Sequence, residues 1–383
     1  MAKFLKKFST HSEYETYIAS EDKVLPNVSI CDDTKDVHYN PFVETRVVAK
    51  FNVTSTSSPT QLCNNSAVSQ FSRIEIDGVV QPSVVSAYTF STTGEHTVKY
   101  TLTDPTSIGN GAFNACTGLT SIDIPDSVTS IGSSAFDSCF SLTSIDIPSG
   151  VTSIGGWAFS TCIGLTSIEI PSGVTSIGAS TFNACRSLTS IDIPNSVTTI
   201  GDSAFINCYS LTSIDIPNSV TTIGDSAFYY CYSLTSCTIG DSVTSIGEKA
   251  FYYCSGLTSC TIGDSVTSIG ASTFSSCSSL TSIDIPNSVT SIGSGAFGGC
   301  SGLTSVTIGN GVTSIGNRAF YQCRGLTSIV CNATTAPTIQ SSTFERVKTG
   351  GTLTVPIGST SYDVWMGTGD YYLGKYGWTK VEQ

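Results

Sequence analysis

Leu211-Thr-Ser-Ile-Asp-Ile-Pro-Asn-Ser-Val-Thr-Thr-Ile-Gly-Asp-Ser-Ala-Phe-Tyr-Tyr-Cys-Tyr-Ser233 is one unit of a repeat, and Leu234 begins the next. The leucine returns at positions 119, 142, 165, 188, 211, 234, 257, 280, 303 and 326, a 23-residue step without insertion. Phe113 to Phe320 and Cys116 to Cys323 keep the same step. A fixed period in the twenties predicts a solenoid, because one such unit cannot bury its apolar face without a neighbour on each side.

Within the unit, Leu-x-x-Ile-x-Ile alternates as a strand that Pro closes. Val-x-x-Ile-Gly reads as a second, shorter strand, and Ala-Phe-x-x-Cys as a tight helical or 3₁₀ turn. Eight columns then point inward: Leu, Ile, Ile, Val, Ile, Ala, Phe and Cys. The expected fold is mostly β, a parallel leucine-rich solenoid of about ten 23-residue repeats over residues 105–330. Stacked at about 4.8 Å per repeat, it runs roughly 50 Å.

The flanks do not repeat. Residues 1–42 read as a docking or attachment segment. Thr10 and Glu13 make a capping box with Tyr14 and Tyr17 following on one helical face. Extended runs then flank the polar turn Asp32-Asp33-Thr34-Lys35. This piece is too small for its own core, so Phe4, Leu5, Phe8, Tyr14, Tyr17, His38 and Tyr39 are candidate attachment residues. Residues 43–104 carry short β-type runs between polar turns, including Asp77-Gly78, and predict a small immunoglobulin-like β-sandwich that also caps the first repeat. In residues 331–383 the pattern decays, and the aromatic tail from Tyr362 to Trp378 reads as a C-terminal cap.

Charged residues make up only 12% of the chain and the net charge is -12, which disfavours nucleic acid as a partner. No apolar run approaches the ~18 residues that span a bilayer, so no membrane insertion is expected. The first residues hold lysines but no apolar h-region, and a secretory signal is not expected there. Fifteen cysteines include ten at one repeat position. An odd total without any Cys-x-x-Cys argues against a disulfide framework and against zinc.

Three constellations remain. The cysteine column, with Cys237 and Cys260 beside it, stacks at disulfide distance but with parallel rather than facing side chains, which favours packing over redox or metal chemistry. Asp123, Asp146, Glu169, Asp192 and Asp215 form an outward acidic column. Five equivalent carboxylates on a smooth sheet do not make the inequivalent pair a glycosidase needs. They read as a solvated face, a partner-facing stripe or a cation site. Around the cysteines of the middle repeats, small polar residues give way to Tyr209, Tyr229, Tyr230, Tyr232, Tyr252 and Tyr253. The 23-residue step places Tyr209 beside Tyr232, Tyr229 beside Tyr252 and Tyr230 beside Tyr253. Such a cluster is either turn aromatics folded over the convex side or a ligand or subunit interface. No nucleophile elbow, phosphate-binding glycine loop or metal-ligand spacing stands out, so neither enzyme activity nor a cofactor is expected.

Leu-Thr-Ser-Ile-Asp-Ile-Pro-Asn-Ser-Val-Thr-Ser-Ile-Gly-x-x-Ala-Phe-x-x-Cys, matched ten times in register, resembles the BspA-like leucine-rich repeat family. That resemblance implies a curved parallel solenoid used for adhesion or protein binding, without enzymatic activity, on proteins that are usually secreted or surface-anchored. The leading segment, from Lys-Lys-Phe-Ser-Thr-His-Ser-Glu through Val-Leu-Pro-Asn-Val-Ser to Val-His-Tyr-Asn-Pro, is similar to N-terminal segments of virion appendage proteins of tailed phages infecting gut Bacteroidales. It implies a virion protein made in the host cytoplasm, attached through residues 1–42 and presenting the solenoid to a host-surface protein or glycan. It further implies a homo-trimer. A bacterial surface or secreted adhesin is the alternative.

Overall fold

The computed structural model describes residues 29–31, 37–39 and 46–383. The chain forms two compact units, residues 1–46 and 47–383. In the first, β1 (Ser29–Cys31) pairs antiparallel with β2 (Val37–Tyr39), Ser29 opposite Tyr39 and Cys31 opposite Val37. This is the extended pair expected around the Asp32–Lys35 turn. The helix expected over the first twenty residues lies outside the described residues.

The second unit begins within β3 (Arg46–Val53), at Val47, and continues with β4 (Thr60–Gln61), β5 (Phe71–Ile76), β6 (Val79–Val80), β7 (Ala87–Tyr88) and β8 (Gly94–Leu102). After β9 (Ser107–Ile108) comes β10 (Leu119–Asp123), the first Leu-x-x-Ile strand of the repeats. The sheet order is β10-β3-β8-β5-β6, while β4 and β7 form a separate two-stranded ribbon. One sheet that takes the first repeat's strand as its edge, plus a ribbon, therefore stands where the sequence suggested an immunoglobulin-like sandwich. Antiparallel pairing of β10 with β3 sets Ile122 against Ala49 and closes the edge at which the solenoid begins. The inner residues Phe71 and Tyr100 lie 5.6 and 5.3 Å from Phe113, so the sheet's core runs into that of the first repeat. The buried Tyr100 hydroxyl donates to the Leu62 carbonyl at 2.7 Å.

Five of the inward columns expected from the period are buried at every repeat, Leu119 to Leu326, Val128 to Val312, Ile131 to Ile315, Phe113 to Phe320 and Cys116 to Cys323, while Ile147 in the second isoleucine column is only partly buried. At three turns the alanine column holds buried Thr181, Thr273 and Thr343, whose hydroxyls donate to the carbonyls of Gly178, Gly270 and Gln340 three residues back. The Val-x-x-Ile-Gly strands stack in parallel and in register, three from Ser107–Ile108 to Ser153–Ile154 and eight from Ser176–Ile177 to Thr338–Ile339. The Leu-x-x-Ile-x-Ile strands pair from Ser213–Ile216 to Ser259–Thr261 and from Ser282–Ile285 to Thr379–Glu382. Between these and β10, segments 143–147, 166–170 and 189–193 lie outside named strands. They are tied there by Thr-to-Thr bonds such as Thr166 N–H to the Thr143 carbonyl.

The Ala-Phe-x-x-Cys segment, expected as a tight helical or 3₁₀ turn, keeps the three-residue-back bonds of a tight turn but is not a helix. Two residues four apart adopt left-handed φ in each turn, such as Ser134 (54°) and Ser138 (62°), or Lys249 (55°) and Tyr253 (58°). This lets alternate N–H groups point along the stack: Phe136 donates to Ala158 and Ser138 to Ser160, both at 2.8 Å, while Cys139 bonds back to Phe136. A helical turn would direct all of them inward along its own axis and leave the next repeat unbonded.

The phenylalanines form one ladder from Phe113 to Phe344, centroids 5.1–5.7 Å apart and planes within 3–13°. Trp365 covers its last ring at 5.2 Å and donates its Nε1–H to the Pro337 carbonyl. Tyr362, also buried, donates to the Ala333 carbonyl at 2.7 Å. The aromatic tail thus shields the final core, as a terminal repeat requires.

Candidate functional site

A repeat contributes its turn residues to the surface in fixed columns, so any side chain larger than serine there is carried next to its neighbours one step away. The middle repeats use this to assemble six tyrosines. Tyr229 and Tyr252 stack at 5.0 Å and 7°. Tyr209 lies 5.2 Å from Tyr232, and Tyr230 lies 5.3 Å from Tyr253. Contacts of Tyr230 with Tyr229 (4.2 Å) and Tyr232 (5.3 Å) join the three pairs into one patch. All three pairings follow the repeat step. Tyr232 and Tyr253 are about two-fifths exposed, and the other four are partly exposed.

The patch is held on unusual backbone. Tyr230 and Tyr253 have φ of 62° and 58°, a region costly for a bulky side chain. The hydrogen bond with Tyr230, then loss of water, pushes the Tyr229 hydroxyl up to about 12. Partial burial raises Tyr232 and Tyr252 as well, helped by neighbouring tyrosines. These three hydroxyls therefore stay protonated donors at neutral pH.

The column that ends in Tyr209 and Tyr232 begins earlier than the tyrosines reveal. Stepping back 23 residues at a time gives Arg186, Ile163 and Phe140. The Arg186 guanidinium lies over the Tyr209 ring, 5.4 Å from its centroid. Phe140 is two-fifths exposed. Reading by residue type missed these three, whereas reading by register finds them.

The acidic column is exposed throughout, at Asp123, Asp146, Glu169, Asp192 and Asp215. Asp123 bridges in parallel to Asp146, and Asp215 faces Thr238 across the paired strands. No group of three or more metal-ligating side chains converges among the described residues. A shallow cavity of about 320 Å³ lies where the strand ladder is interrupted, with Asp192 and Ile193 on one wall and Asp215 and Pro217 on the other.

Fourteen cysteines among the described residues are free and buried. From Cys139 to Cys323 each column thiol donates to the carbonyl of the phenylalanine in the preceding repeat, at 3.1–3.3 Å. The column is a buried hydrogen-bond ladder, more specific than apolar filling. Of the candidate attachment residues, Phe4, Leu5, Phe8, Tyr14 and Tyr17 lie outside the described residues, while His38 and Tyr39 fall in β2.

The family described as BspA type leucine rich repeat region matches residues 106–235 and 221–350. Among solved structures, a leucine-rich repeat protein from Bacteroides ovatus is 25% identical with a TM-score of 0.50, over 77% of this chain and 90% of that one. A leucine rich cell surface protein from Faecalibacterium prausnitzii is 30% identical over 61% of this chain and 84% of that one, with a TM-score of 0.32. A leucine rich repeat protein from T. pallidum is 26% identical over 54% and 86%, with a TM-score of 0.38. Among curated proteins none matches. The resemblance of the leading segment to phage appendage proteins finds no counterpart in these matches.

Proposed function

The chain belongs to the BspA-type leucine-rich repeat family, and from that premise we propose that it is a bacterial surface or secreted binding protein whose solenoid holds a ligand on its tyrosine face. A leucine-rich solenoid is typically a non-enzymatic scaffold, rigid along its length and variable at its surface columns. The observation that carries the reading is the joining of six tyrosines across three repeats into one patch of ring contacts. Tyrosine supplies broad amphipathic contact at low entropic cost, as in interfaces generally. Residues 1–42 serve in this reading as the attachment segment. No helix among the described residues is long and apolar enough to cross a membrane.

Binding of the purified chain to immobilised mucin and extracellular-matrix proteins tests the reading against the Tyr230→Ser/Tyr253→Ser variant. Serine already occupies this left-handed position at Ser138 and Ser276, so the variant keeps the fold. The expected result is at least a roughly tenfold loss of affinity. Equal binding by both proteins would remove the tyrosine face from the site. Protease shaving of the producing cell checks the location, and recovery of the protein in a phage band of a density gradient would overturn the surface placement.

A further inference from the structure

We infer that the tyrosine face is the larger part of a band, Phe140–Ile163–Arg186–Tyr209–Tyr232 with Tyr229, Tyr230, Tyr252 and Tyr253, that takes an extended polypeptide segment with a carboxylate opposite Arg186. The inference rests on the binding role proposed above and names the partner's chemistry.

Register carries the first step. The position after the repeat cysteine is Phe140, Ile163, Arg186, Tyr209 and Tyr232 in five consecutive repeats, then Ser255, Ser278 and Ser301 before Arg324. Bulk is thus concentrated on one run of turns. In a chain of net charge -12, these nine positions contain no Asp, Glu or Lys. Tyrosine, phenylalanine and arginine without lysine or carboxylate is the composition of a protein-interface core.

Charge carries the second step. Arg186 is exposed, lies over the ring of Tyr209, and makes no ion pair among the described residues. A guanidinium lying over a ring keeps its in-plane N–H edge free, and that edge matches a carboxylate. A cationic partner would find acids in the same turns, such as Asp137 in the column of Tyr229, but none among the nine residues.

Ring packing decides between polypeptide and sugar. A pyranose stacks on an open ring face. Here Tyr229 and Tyr252 cover each other at 5.0 Å, and four tyrosines surround Tyr230 at 4.2–6.4 Å. The faces closed by these contacts are lost to a sugar, whereas the hydroxyls donate to the carbonyls that an extended backbone offers at every residue. From the turn of Phe140 to that of Tyr253 is five repeat steps, roughly 25 Å at strand spacing, or about seven or eight extended residues.

The test is selection of a random dodecapeptide display library on the full chain, with a parallel array of sialylated, uronic-acid and neutral oligosaccharides. Peptides enriched on the chain should carry Asp or Glu among apolar residues. For a synthetic peptide of that sequence, Arg186→Gln and replacement of the peptide's acid by its amide should each weaken binding roughly tenfold, without summing when combined. Arg324→Gln, in the same column outside the band, should change it less than about twofold. A library that enriches no peptide over the Tyr230→Ser/Tyr253→Ser variant overturns the inference, and so does a peptide indifferent to Arg186→Gln. Glycan binding lost in those same variants would also overturn it while leaving the binding role of the face intact.

Discussion

The Phe182 carbonyl accepts two hydrogen bonds, from the Cys185 N–H in its own turn and from the Cys208 thiol in the next, each at 3.2 Å. A hydroxyl in that place would have a shorter reach, and an aliphatic side chain would leave the second lone pair unmet, so cysteine satisfies volume and acceptor together. Burial away from water raises the thiols of Cys185 and Cys300 to about 12, each partly opposed by the hydrogen bond that links neighbouring turns. The folded state therefore keeps its thiols protonated where the unfolded chain ionises them. Their contribution to stability is whole below the ordinary thiol value of 9.0 and drains away as pH rises toward about 12. The urea midpoint should accordingly drop steeply between about pH 9 and about pH 12. A Cys185→Ala/Cys300→Ala variant, less stable at neutral pH, should lose less over that interval. An equal loss in both proteins would assign the alkaline sensitivity to other groups.

At the scale of the repeat's elements, the turn is where sequence and structure part. Its two left-handed positions are held by Ser134 and Ser138, Trp157 and Thr161, or Lys249 and Tyr253, and only at Gly295 and Gly299 by a glycine pair. Without glycine as a marker, Ala-Phe-x-x-Cys reads equally well as a helical turn. The ladder of longer strands was equally illegible. Leu142–Pro148 and Leu211–Pro217 are the same heptapeptide, yet Ser213–Ile216 is a paired strand and 143–147 is not. Pairing there is set by how neighbouring turns sit on one another, which no local sequence states. The buried columns and the three tyrosine pairs were legible because both follow from register alone. The strain at the turns has a measurable consequence at exposed Lys249, φ 55°. Left-handed backbone costs an L-residue roughly 1–2 kcal/mol, and glycine's extra freedom in the unfolded chain takes back about half of the gain. Lys249→Gly should thus raise unfolding free energy by about 0.5–1 kcal/mol. Lys249→Val, branched at Cβ, should lower it by at least ~1 kcal/mol. Urea titrations that rank valine at or above lysine would contradict the strained rung.

Across residues 47–383, stability is a sum over neighbours. The phenylalanine ladder is continuous from Phe113 to Phe344, with Phe71 and Tyr100 against its first ring and Trp365 against its last. Each repeat meets only the repeats on either side, so where a defect falls matters as much as its size. Phe228 stacks at 5.2 Å on Phe205 and 5.1 Å on Phe251, and truncating a buried phenylalanine costs about 3–5 kcal/mol. In the interior, Phe228→Ala weakens two interfaces at once while leaving each half with its own aromatic end. Its urea transition should split in two, with hydrogen-exchange protection lost first around residues 205–251. Trp365→Ala removes a comparable ring from the end of the ladder. It should leave a single transition, with exchange spreading inward from residues 326–355 and the middle turns still protected. If Phe228→Ala instead unfolded in one step with uniform loss of protection, the repeats would be bound into a single cooperative block. The tyrosine face, which sits on the same middle turns, would then have no local unfolding of its own. If the split is seen, those turns carry both the ligand face and the point at which the stack comes apart, and a segment lying across the band from Phe140 to Tyr253 should rejoin the two transitions.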